Sequence, residues 1–275
     1  MEWVPAPTPI NENRRAQATE KTGIIGTDQV YLFDIYLEIA KDISGYEGGS
    51  FSLYDSKDQC TISEIGKPGE KELHRKADKA ASICSYVLLE KNPLIVFDLK
   101  KHDIFKYHQA VTSGICHSYC GFPVRNKDGY ALGTFCMLNF TEVKEMSSEK
   151  IELIEKLVSR LALQIDTQTE QKEITSQKIS KSIDIFMDNY KDFTLSDYKN
   201  FIDICSGLNL PEENATNLIN ANLCEIRNMT VMLSSEGNEL QEKMNIVTKI
   251  HNQIKVEGNE ANSLIDNALD KLGDL

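Results

Sequence analysis

Apolar residues in the first half of the chain recur with the period of a helix in some segments and with the period of a strand in others. Residues 28–43 carry apolar side chains at steps of three and four, which predicts an amphipathic helix. Residues 50–54 alternate with period two, which predicts a strand, and a second strand is expected at residues 60–65. Residues 70–89 indicate a second helix, and the short apolar run at 94–97 indicates a buried strand.

A β-hairpin is the best-defined local prediction. Strands are expected at residues 115–124 and 130–139, and residues 126–129, Asn-Lys-Asp-Gly, join them. Asp-Gly pairs favour tight hairpin turns because the glycine readily adopts a positive φ. Together with the other strands, this hairpin predicts an α+β fold in which an antiparallel sheet is flanked by helices.

The pattern changes beyond Met146. A long charged helix is predicted to begin near Ser147 or Ser148, since either residue can cap it. Residues 166–177 are too polar to bury much surface, which indicates a solvated helical extension. The first turns carry apolar residues at steps of three and four, a spacing typical of helices packed side by side, at Ile151, Ile154, Val158, Leu161 and Ile165.

A further helix is predicted from Pro211 to Leu272. At about 1.5 Å per residue it would be about 90 Å long, so it would have to pack along another helix. Gly237 and Gly258 weaken this helix, which favours an assembly that depends on a partner or switches. A heptad-like seam runs along it through Ile226, Thr230, Leu233, Gly237, Leu240, Met244, Val247, His251, Ile254, Gly258, Ala261, Ile265, Ala268 and Leu272.

The chain therefore divides into four predicted segments. Three prolines within the first ten residues predict an extended arm over residues 1–10. The α+β domain follows at 11–166, a helical linker at 167–192, and an all-α, coiled-coil-like region at 193–275. The apolar seams predict either a homodimer or a complex with a partner protein through these helices.

Charge and cysteine content narrow the class of protein. The formal net charge of −12 disfavours nucleic acid and anionic lipid as partners. No segment approaches the roughly 20 uninterrupted apolar residues of a membrane span, and the first residues lack the basic and then apolar pattern of an export signal. The seven cysteines are scattered, which favours reduced thiols and a cytoplasmic location.

Five stretches in register resemble a GAF domain of the type found at the front of bacterial sensor kinases and cyclic-dinucleotide cyclases. They are residues 11–15 with 22–27, residues 33–40, Ser82 with Cys84, residues 94–105, and the combination of Tyr119, Gly121, Pro123 with Asp128, Gly129, Gly133, Thr134 and Cys136. The sequence departs from the family at His117, where an arginine is frequent, and at Ile83, where phenylalanine is frequent. The resemblance therefore implies the fold without naming a ligand or a cofactor.

The resemblance implies a sensory or regulatory protein that binds an unidentified small molecule between the sheet and residues 84–119. No phosphate-binding loop, nucleophile elbow or metalloprotease motif occurs in the sequence, so we expect no enzyme activity. Cys84 and Cys136 are candidates for a redox role. The candidate ligand-binding residues are Tyr86, Asp98, Asp103, Phe105, His117 and Tyr119.

Three alternatives remain open. Cys116-His117 is the dipeptide of a tetrapyrrole attachment site, but inside the predicted strand the two side chains would point to opposite faces. Cys116 and Cys120 would share one face of that strand, yet no second ligand pair accompanies them, so no metal site is predicted. Finally, the chain can be a coiled-coil adaptor or assembly protein whose GAF-like module is a scaffold without a ligand.

Overall fold

The structure is a computed structural model that describes residues 2–27, 32–66 and 76–246. The chain divides into two compact units, the first ending at Glu170 and the second beginning at Gln171. Within the described residues, no helix combines the length and the apolar character needed to span a membrane.

The first unit contains a six-stranded antiparallel sheet with helices packed on it. The strands are β1 (Gly48–Tyr54), β2 (Asp58–Ile65), β3 (Lys76–Asp78), β4 (Leu94–Val96), β5 (Ser118–Arg125) and β6 (Ala131–Asn139). They lie in the order β3-β2-β1-β6-β5-β4. The helices of this unit are α1 (Glu12–Thr22), α2 (Asp34–Ser44), the short α3 (Gln109–Thr112) and the long α4 (Ser148–Asn189), which continues into the second unit. Short 3₁₀ segments lie at Lys79–Ala81, Ile83–Leu89, Leu99–Lys101 and Phe105–Tyr107.

The two faces of the sheet differ in polarity because successive side chains of a strand point to opposite sides. In β6, Phe135 and Met137 lie in the main hydrophobic core, whereas Thr134 and Cys136 point to the other face. The core face is closed by α2 and α4, and its strand residues are Phe51, Leu53, Cys60, Ile62, Cys120, Phe122, Val124, Leu132, Phe135 and Met137. The opposite face carries hydroxyl and thiol groups, at Ser50, Ser52, Tyr54, Tyr119, Thr134 and Cys136.

A buried arginine fixes α1 at one end of the sheet. The Arg15 side chain is 1% exposed, and it donates hydrogen bonds to the carbonyls of Tyr54 at 2.9 Å and Asp55 at 2.8 Å. Glu12 accepts from the same guanidinium at 2.8 Å and also pairs with Lys79. Burial opposes ionisation of Glu12, but these hydrogen bonds lower its pKa overall. The buried charge is therefore paired and fully hydrogen-bonded, which makes its burial tolerable. No pattern in the sequence predicted α1.

The predicted hairpin is confirmed. Residues 126–129 connect β5 to β6, and Gly129 has a φ of +83°. The Gly129 N–H donates to the Asn126 carbonyl at 2.9 Å, and the Asn126 side-chain oxygen accepts from the Tyr130 N–H at 2.8 Å. Strand β5 begins at Ser118, three residues later than predicted, because the N–H groups of Ile115 and Cys116 donate to the Ala110 carbonyl in the turn after α3.

Two helix predictions in the first unit need correction. The helix predicted at residues 28–43 begins at Asp34, and residues 28–31 lie outside the described residues. The helix predicted at 70–89 is wrong for its described part, which forms β3 and two short 3₁₀ segments. Side chains of Asp78 and Ser82 accept from backbone N–H groups two residues on, and such local bonds compete with a continuous helix.

The helix predicted from Ser147 or Ser148 is confirmed as α4, but its apolar stripe packs differently from the prediction. Ile154, Val158, Leu161 and Ile165 are buried in the core of their own unit, together with the apolar face of the sheet. These side chains are therefore unavailable as a seam for a second copy of the chain.

The second unit contains helices, as predicted, but two strands interrupt them. It comprises the end of α4, α5 (Leu195–Cys205), α6 (Thr216–Asn220), the antiparallel hairpin of β7 (Cys224–Arg227) and β8 (Thr230–Leu233), and α7 (Ser235–Lys243). Thr194 and Asp197 form a capping box at the start of α5. The hydrophobic core of this unit is built on Phe186, Phe201, Leu218, Leu223 and Leu240.

The single helix predicted from Pro211 to Leu272 is wrong for its described part. Asn228 and Met229 both adopt positive φ, at 52° and 61°, which is the two-residue hairpin turn that joins β7 to β8. Gly237 is a close-approach position, because a Cβ there would lie 2.0 Å from the Leu223 carbonyl oxygen. The predicted seam beyond residue 246 lies outside the described residues.

Candidate ligand cavity

A cavity of about 280 Å³ lies on the hydroxyl-bearing face of the sheet, entirely within the first unit. One wall is the sheet itself, and the other is formed by residues 77–84 and 108–116. The lining residues are Gly49, Ser50, Gln59, Thr61, Glu64, Ala77, Asp78, Ala81, Ser82, Ile83, Cys84, His108, Ala110, Ile115, Cys116, Tyr119, Cys136, Leu138 and Phe140. The cavity is at the small end of the range for ligand pockets.

Local hydrogen bonds hold the outer wall of the cavity. His108 caps α3, because its Nδ1 accepts from the Ala110 N–H at 3.1 Å. The other ring nitrogen, Nε2, lies 2.9 Å from the Ala81 carbonyl, so the two stretches of the outer wall are tied together. This pattern assigns the proton of His108 to Nε2. Both ring nitrogens are thus engaged with backbone, and the histidine is a structural element of the wall.

The N-terminal arm packs over this wall. The indole N–H of Trp3 donates to the Ala80 carbonyl at 3.0 Å, and its ring lies edge-on to His108 with centroids 4.7 Å apart. Tyr86 donates to the Val4 carbonyl at 2.7 Å and stacks edge-on against both Trp3 and Phe105. The arm predicted as an extended lead-in therefore supports the cavity wall, which the sequence did not indicate.

Tyr119 is the most informative polar group in the cavity. Its side chain is 1% exposed, yet its hydroxyl has no hydrogen-bond partner among the described residues. The ring lies across Gly121, because a Cβ at that glycine would come within 2.4 Å of the hydroxyl oxygen. Burial, together with the thiols of Cys84 and Cys136, raises the pKa of Tyr119 well above its ordinary value. The phenol is therefore a neutral donor, and buried donors without partners are rare in proteins.

Cys84 and Cys136 lie together in the lining of the cavity. Their sulfur atoms are 3.7 Å apart, and both thiols are free. Cys136 lies in β6, where its sulfur is 3.1 Å from the Ser50 hydroxyl oxygen. Cys84 is the second residue of the 3₁₀ segment Ile83–Leu89, and its N–H donates to the Ser82 hydroxyl at 3.2 Å. The sequence suggested each cysteine separately, and the structure brings the two together.

The proximity of the two thiols separates their acidities. When Cys84 ionises, the Cys136 thiol donates a hydrogen bond to the thiolate, which lowers the pKa of Cys84 to about 7 against the opposing effect of burial. The same contact, reinforced by burial, raises the pKa of Cys136 well above its ordinary value. The pair therefore loses its first proton close to neutral pH and retains the second.

The structure brings Tyr119, Cys84 and Cys136 to the cavity but not the other five predicted site residues. Tyr86 and Phe105 pack with the N-terminal arm. Asp98 accepts from the Lys100 N–H at 3.1 Å and pairs with Lys101 at 3.0 Å.

The remaining two predicted site residues also lie away from the cavity. The Asp103 side chain is 98% exposed and pairs with Lys106. His117 extends the sheet through its backbone, donating to the Asn139 carbonyl and accepting from the Leu99 N–H. The residues of the outer wall were not predicted because the sequence pattern assigned residues 77–84 to a helix. In the structure these residues form part of β3 and of two 3₁₀ segments.

Cys116 differs from its predicted position. It precedes β5 and lines the cavity, while Cys120 lies on the opposite face in the main core, so the two do not share a face. The Cys116 thiol donates to the Ser118 carbonyl at 3.6 Å, and burial raises its pKa to about 12. Cys116 is therefore much less acidic than Cys84.

Comparison with known proteins identifies the family of the first unit. Residues 30–165 match the family model for the GAF domain, so the chain contains a GAF domain over these residues. GAF domains are sensory and regulatory modules. The helices after residue 165 are outside the match, and a search of curated proteins finds no matching sequence.

Several solved structures are similar to this chain. The blue-light-absorbing form of the PixJ GAF domain of Thermosynechococcus elongatus is 10% identical, with a TM-score of 0.45, and the match covers 62% of this chain and 96% of that one. GAF-B of DevS from Mycobacterium smegmatis is 12% identical over 54% of this chain and 99% of that one, with a TM-score of 0.43. The GAF domain of Acinetobacter phosphoenolpyruvate-protein phosphotransferase is 13% identical over 60% and 93%, with a TM-score of 0.43.

Proposed function

We propose that this chain is a non-catalytic sensory or regulatory protein that binds a small molecule in the cavity and signals through the packing of α4. The observation that carries the proposal is the cavity itself, whose lining includes Tyr119, a residue with a buried hydroxyl that has no hydrogen-bond partner among the described residues. A ligand that accepts a hydrogen bond from this hydroxyl would remove the cost of leaving a buried donor unpaired, which is about 1–3 kcal/mol.

The lining favours a neutral or cationic ligand. None of the described lining residues is lysine or arginine, whereas the lining does include the acidic residue Asp78. A phosphate group would therefore meet no complementary charge from these residues. Ile83, Ile115 and Leu138 supply apolar surface, so the preferred ligand is a compact, partly apolar molecule with one acceptor group.

Strand β6 connects the cavity to α4. Cys136 and Leu138 line the cavity, while the alternate residues Phe135 and Met137 belong to the core that buries Ile154 and Leu161 of α4. A ligand that shifts β6 toward or away from the cavity changes the surface on which α4 packs. Such coupling requires a ligand that binds the two arrangements with different affinity.

Assembly through the helices stays a prediction. The apolar stripe of α4 is buried in its own unit, and the seam predicted from Ile226 is interrupted by a hairpin. The α4 stripe and the described part of the C-terminal seam therefore give no support to the homodimer, the partner protein or the adaptor alternative, and the rest of that seam lies outside the described residues. Cytoplasmic location and the lack of nucleic-acid binding likewise stay predictions that depend on composition.

A ligand screen with two matched variants tests the proposal. The reduced full-length protein is mixed with small neutral, cationic and phosphorylated compounds, and stabilisation is measured as a shift in unfolding followed by Trp3 fluorescence. Ala110→Leu places a larger side chain in the cavity, whereas Gln109→Leu adds the same side chain at an exposed position of the same helix. We expect neutral or cationic compounds to stabilise the wild type and Gln109→Leu but not Ala110→Leu. Stabilisation only by phosphorylated compounds, or equally in Ala110→Leu, would contradict it.

A further inference from the structure

We propose that Cys84 and Cys136 are a modification site, at which a hydroperoxide that enters the cavity converts the two thiols into a reversible disulfide. The inference goes beyond the proposed function, because it requires no retained ligand. It depends on three features of the described residues: the contact between the two sulfur atoms, their position at the cavity, and the polar groups around them.

The geometry suits a disulfide. The sulfur atoms are 3.7 Å apart, so they have to approach by about 1.7 Å to reach the length of a disulfide bond. Cys136 is held in β6, paired with Ser50 on one side and with Gly121 on the other. Cys84 lies in a 3₁₀ segment that is tied down mainly by local bonds, and its side chain is only partly buried. We therefore expect the Cys84 sulfur to move toward the Cys136 sulfur, because the segment that carries Cys84 can move without breaking the sheet.

The surroundings supply what the first step needs. A hydroperoxide is small enough for a cavity of about 280 Å³, and Cys84 is accessible from it. The low pKa of Cys84 makes it the attacking thiolate, since the thiolate is the nucleophile. The buried Tyr119 hydroxyl lies beside the Cys84 sulfur, since a hydrogen bond from it to the thiolate also helps to lower the pKa of Cys84, and from this position it can donate to the departing oxygen.

The chemistry balances in two steps. The Cys84 thiolate attacks one peroxide oxygen, the O–O bond breaks, and Cys84 becomes a sulfenic acid while the other oxygen leaves as water or an alcohol after taking a proton. The Cys136 sulfur then attacks the Cys84 sulfur, the S–O bond breaks, and the hydroxide leaves as water with the Cys136 proton. The two thiols together give up two electrons, and the peroxide is reduced by two electrons.

The product changes the cavity wall. A bond between these sulfur atoms ties the segment Ile83–Leu89 to β6, the strand whose other face packs against α4 through the main core. The redox state of the pair would therefore act on the same strand as the proposed ligand, by a separate covalent route.

Tryptic peptides separate the relevant cysteines. Cleavage after lysine and arginine places Cys84 alone in residues 80–91, Cys136 alone in residues 128–144, and both Cys116 and Cys120 in residues 107–125. The reduced full-length protein is treated with hydrogen peroxide, its remaining thiols are blocked with N-ethylmaleimide, and the non-reduced digest is analysed by mass spectrometry. We expect both thiols of the pair to disappear together, a cross-link between peptides 80–91 and 128–144, and its loss on treatment with dithiothreitol.

Two variants sharpen the test. Cys136→Ser should stop the reaction at a Cys84 sulfenic acid that dimedone traps, whereas Cys116→Ser should leave the 80–91 to 128–144 cross-link unchanged. Peroxide that consumes thiols without forming this cross-link in the wild type, or that joins peptide 80–91 equally to 107–125, would overturn the proposal. The wild-type result alone decides if a variant fails to fold. A protein that binds no ligand in the screen can still form the cross-link, so the two proposals fail independently.

Discussion

Replacement of Gly129 by valine tests the hairpin that completes the cavity sheet. Gly129 has a φ of +83°, and a Cβ at this position meets no atom within 4 Å, so any loss of stability comes from the backbone conformation and not from a clash. A β-branched residue held at positive φ is strained by about 1–3 kcal/mol. Replacement of glycine also restricts the unfolded chain, which offsets about 0.4–1 kcal/mol. The two ranges leave a net loss of about 0–2.6 kcal/mol, and we expect a value near the middle, about 1–2 kcal/mol.

The assay follows from the position of the single tryptophan. Trp3 packs against Tyr86 and His108 in the first unit, so its fluorescence reports the unfolding of that unit. For a unit of this size, the expected loss lowers Tm by about 2–8 °C. Gly129→Asn is the matched control, because asparagine tolerates the left-handed region better than other non-glycine residues. Equal effects of valine and asparagine, or an unchanged Tm for valine, would refute the reasoning from backbone strain.

Three further outcomes follow from the site. Gly121→Ala should destabilise the first unit by about 1–3 kcal/mol, because its Cβ would lie 2.4 Å from the Tyr119 hydroxyl; an unchanged Tm in the fluorescence melt would contradict this. Alkylation of Cys84 should speed up as pH rises through about 7, since the thiolate fraction grows as pH passes the pKa. Peptide mass spectrometry that finds the midpoint of the alkylation rate near pH 9 would contradict this. The titratable groups facing Cys84 are Tyr54, Cys116, Tyr119 and Cys136. Asp103→Ala should leave ligand binding in the screen unchanged, because this side chain points into solvent. Loss of binding in this variant would show that Asp103 belongs to the ligand site.

The sequence predicted correctly those elements that are determined by residues close together in the chain. The hairpin at residues 126–129 follows from an Asp-Gly pair between two alternating segments, and both causes are visible within about ten residues. The start of α4 was predicted for the same reason, because the capping serine lies next to the first turn of the helix. Its apolar stripe was read correctly as buried, but the partner was the sheet of its own unit, which helical spacing alone does not specify.

The long C-terminal helix shows where spacing misleads. Ile226, Thr230 and Leu233 fit a helical seam, yet the same stretch alternates as two short strands around Asn228 and Met229. Gly237 packs closely against the Leu223 carbonyl, so α7 lies against the residue that precedes the hairpin. A local signal for the start of α7 was present at Ser234, because serine is a favoured N-cap residue. Its side chain caps α7 by accepting a hydrogen bond from the Gly237 N–H at 3.0 Å.

The candidate site was predictable only in part because it is assembled from distant segments. Tyr119 and the two cysteines were identified through the family resemblance, but the contact between Cys84 and Cys136 joins a 3₁₀ segment to a strand 52 residues away. No local pattern encodes that contact. Asp98 and Asp103 were singled out as polar residues beside a strand, and both instead make ion pairs with nearby lysines.

Native mass spectrometry of the full-length protein tests the central claim, that the cavity holds a small molecule, most directly. The wild type, Ala110→Leu and Gln109→Leu are purified in parallel and measured intact under non-denaturing conditions, before and after addition of a stabilising compound from the screen. The account predicts an added mass of one small molecule per chain on the wild type and on Gln109→Leu, and the protein mass alone on Ala110→Leu. Wild-type protein that carries no added mass with any stabilising compound, or Ala110→Leu that carries it as fully as the wild type, would contradict the account.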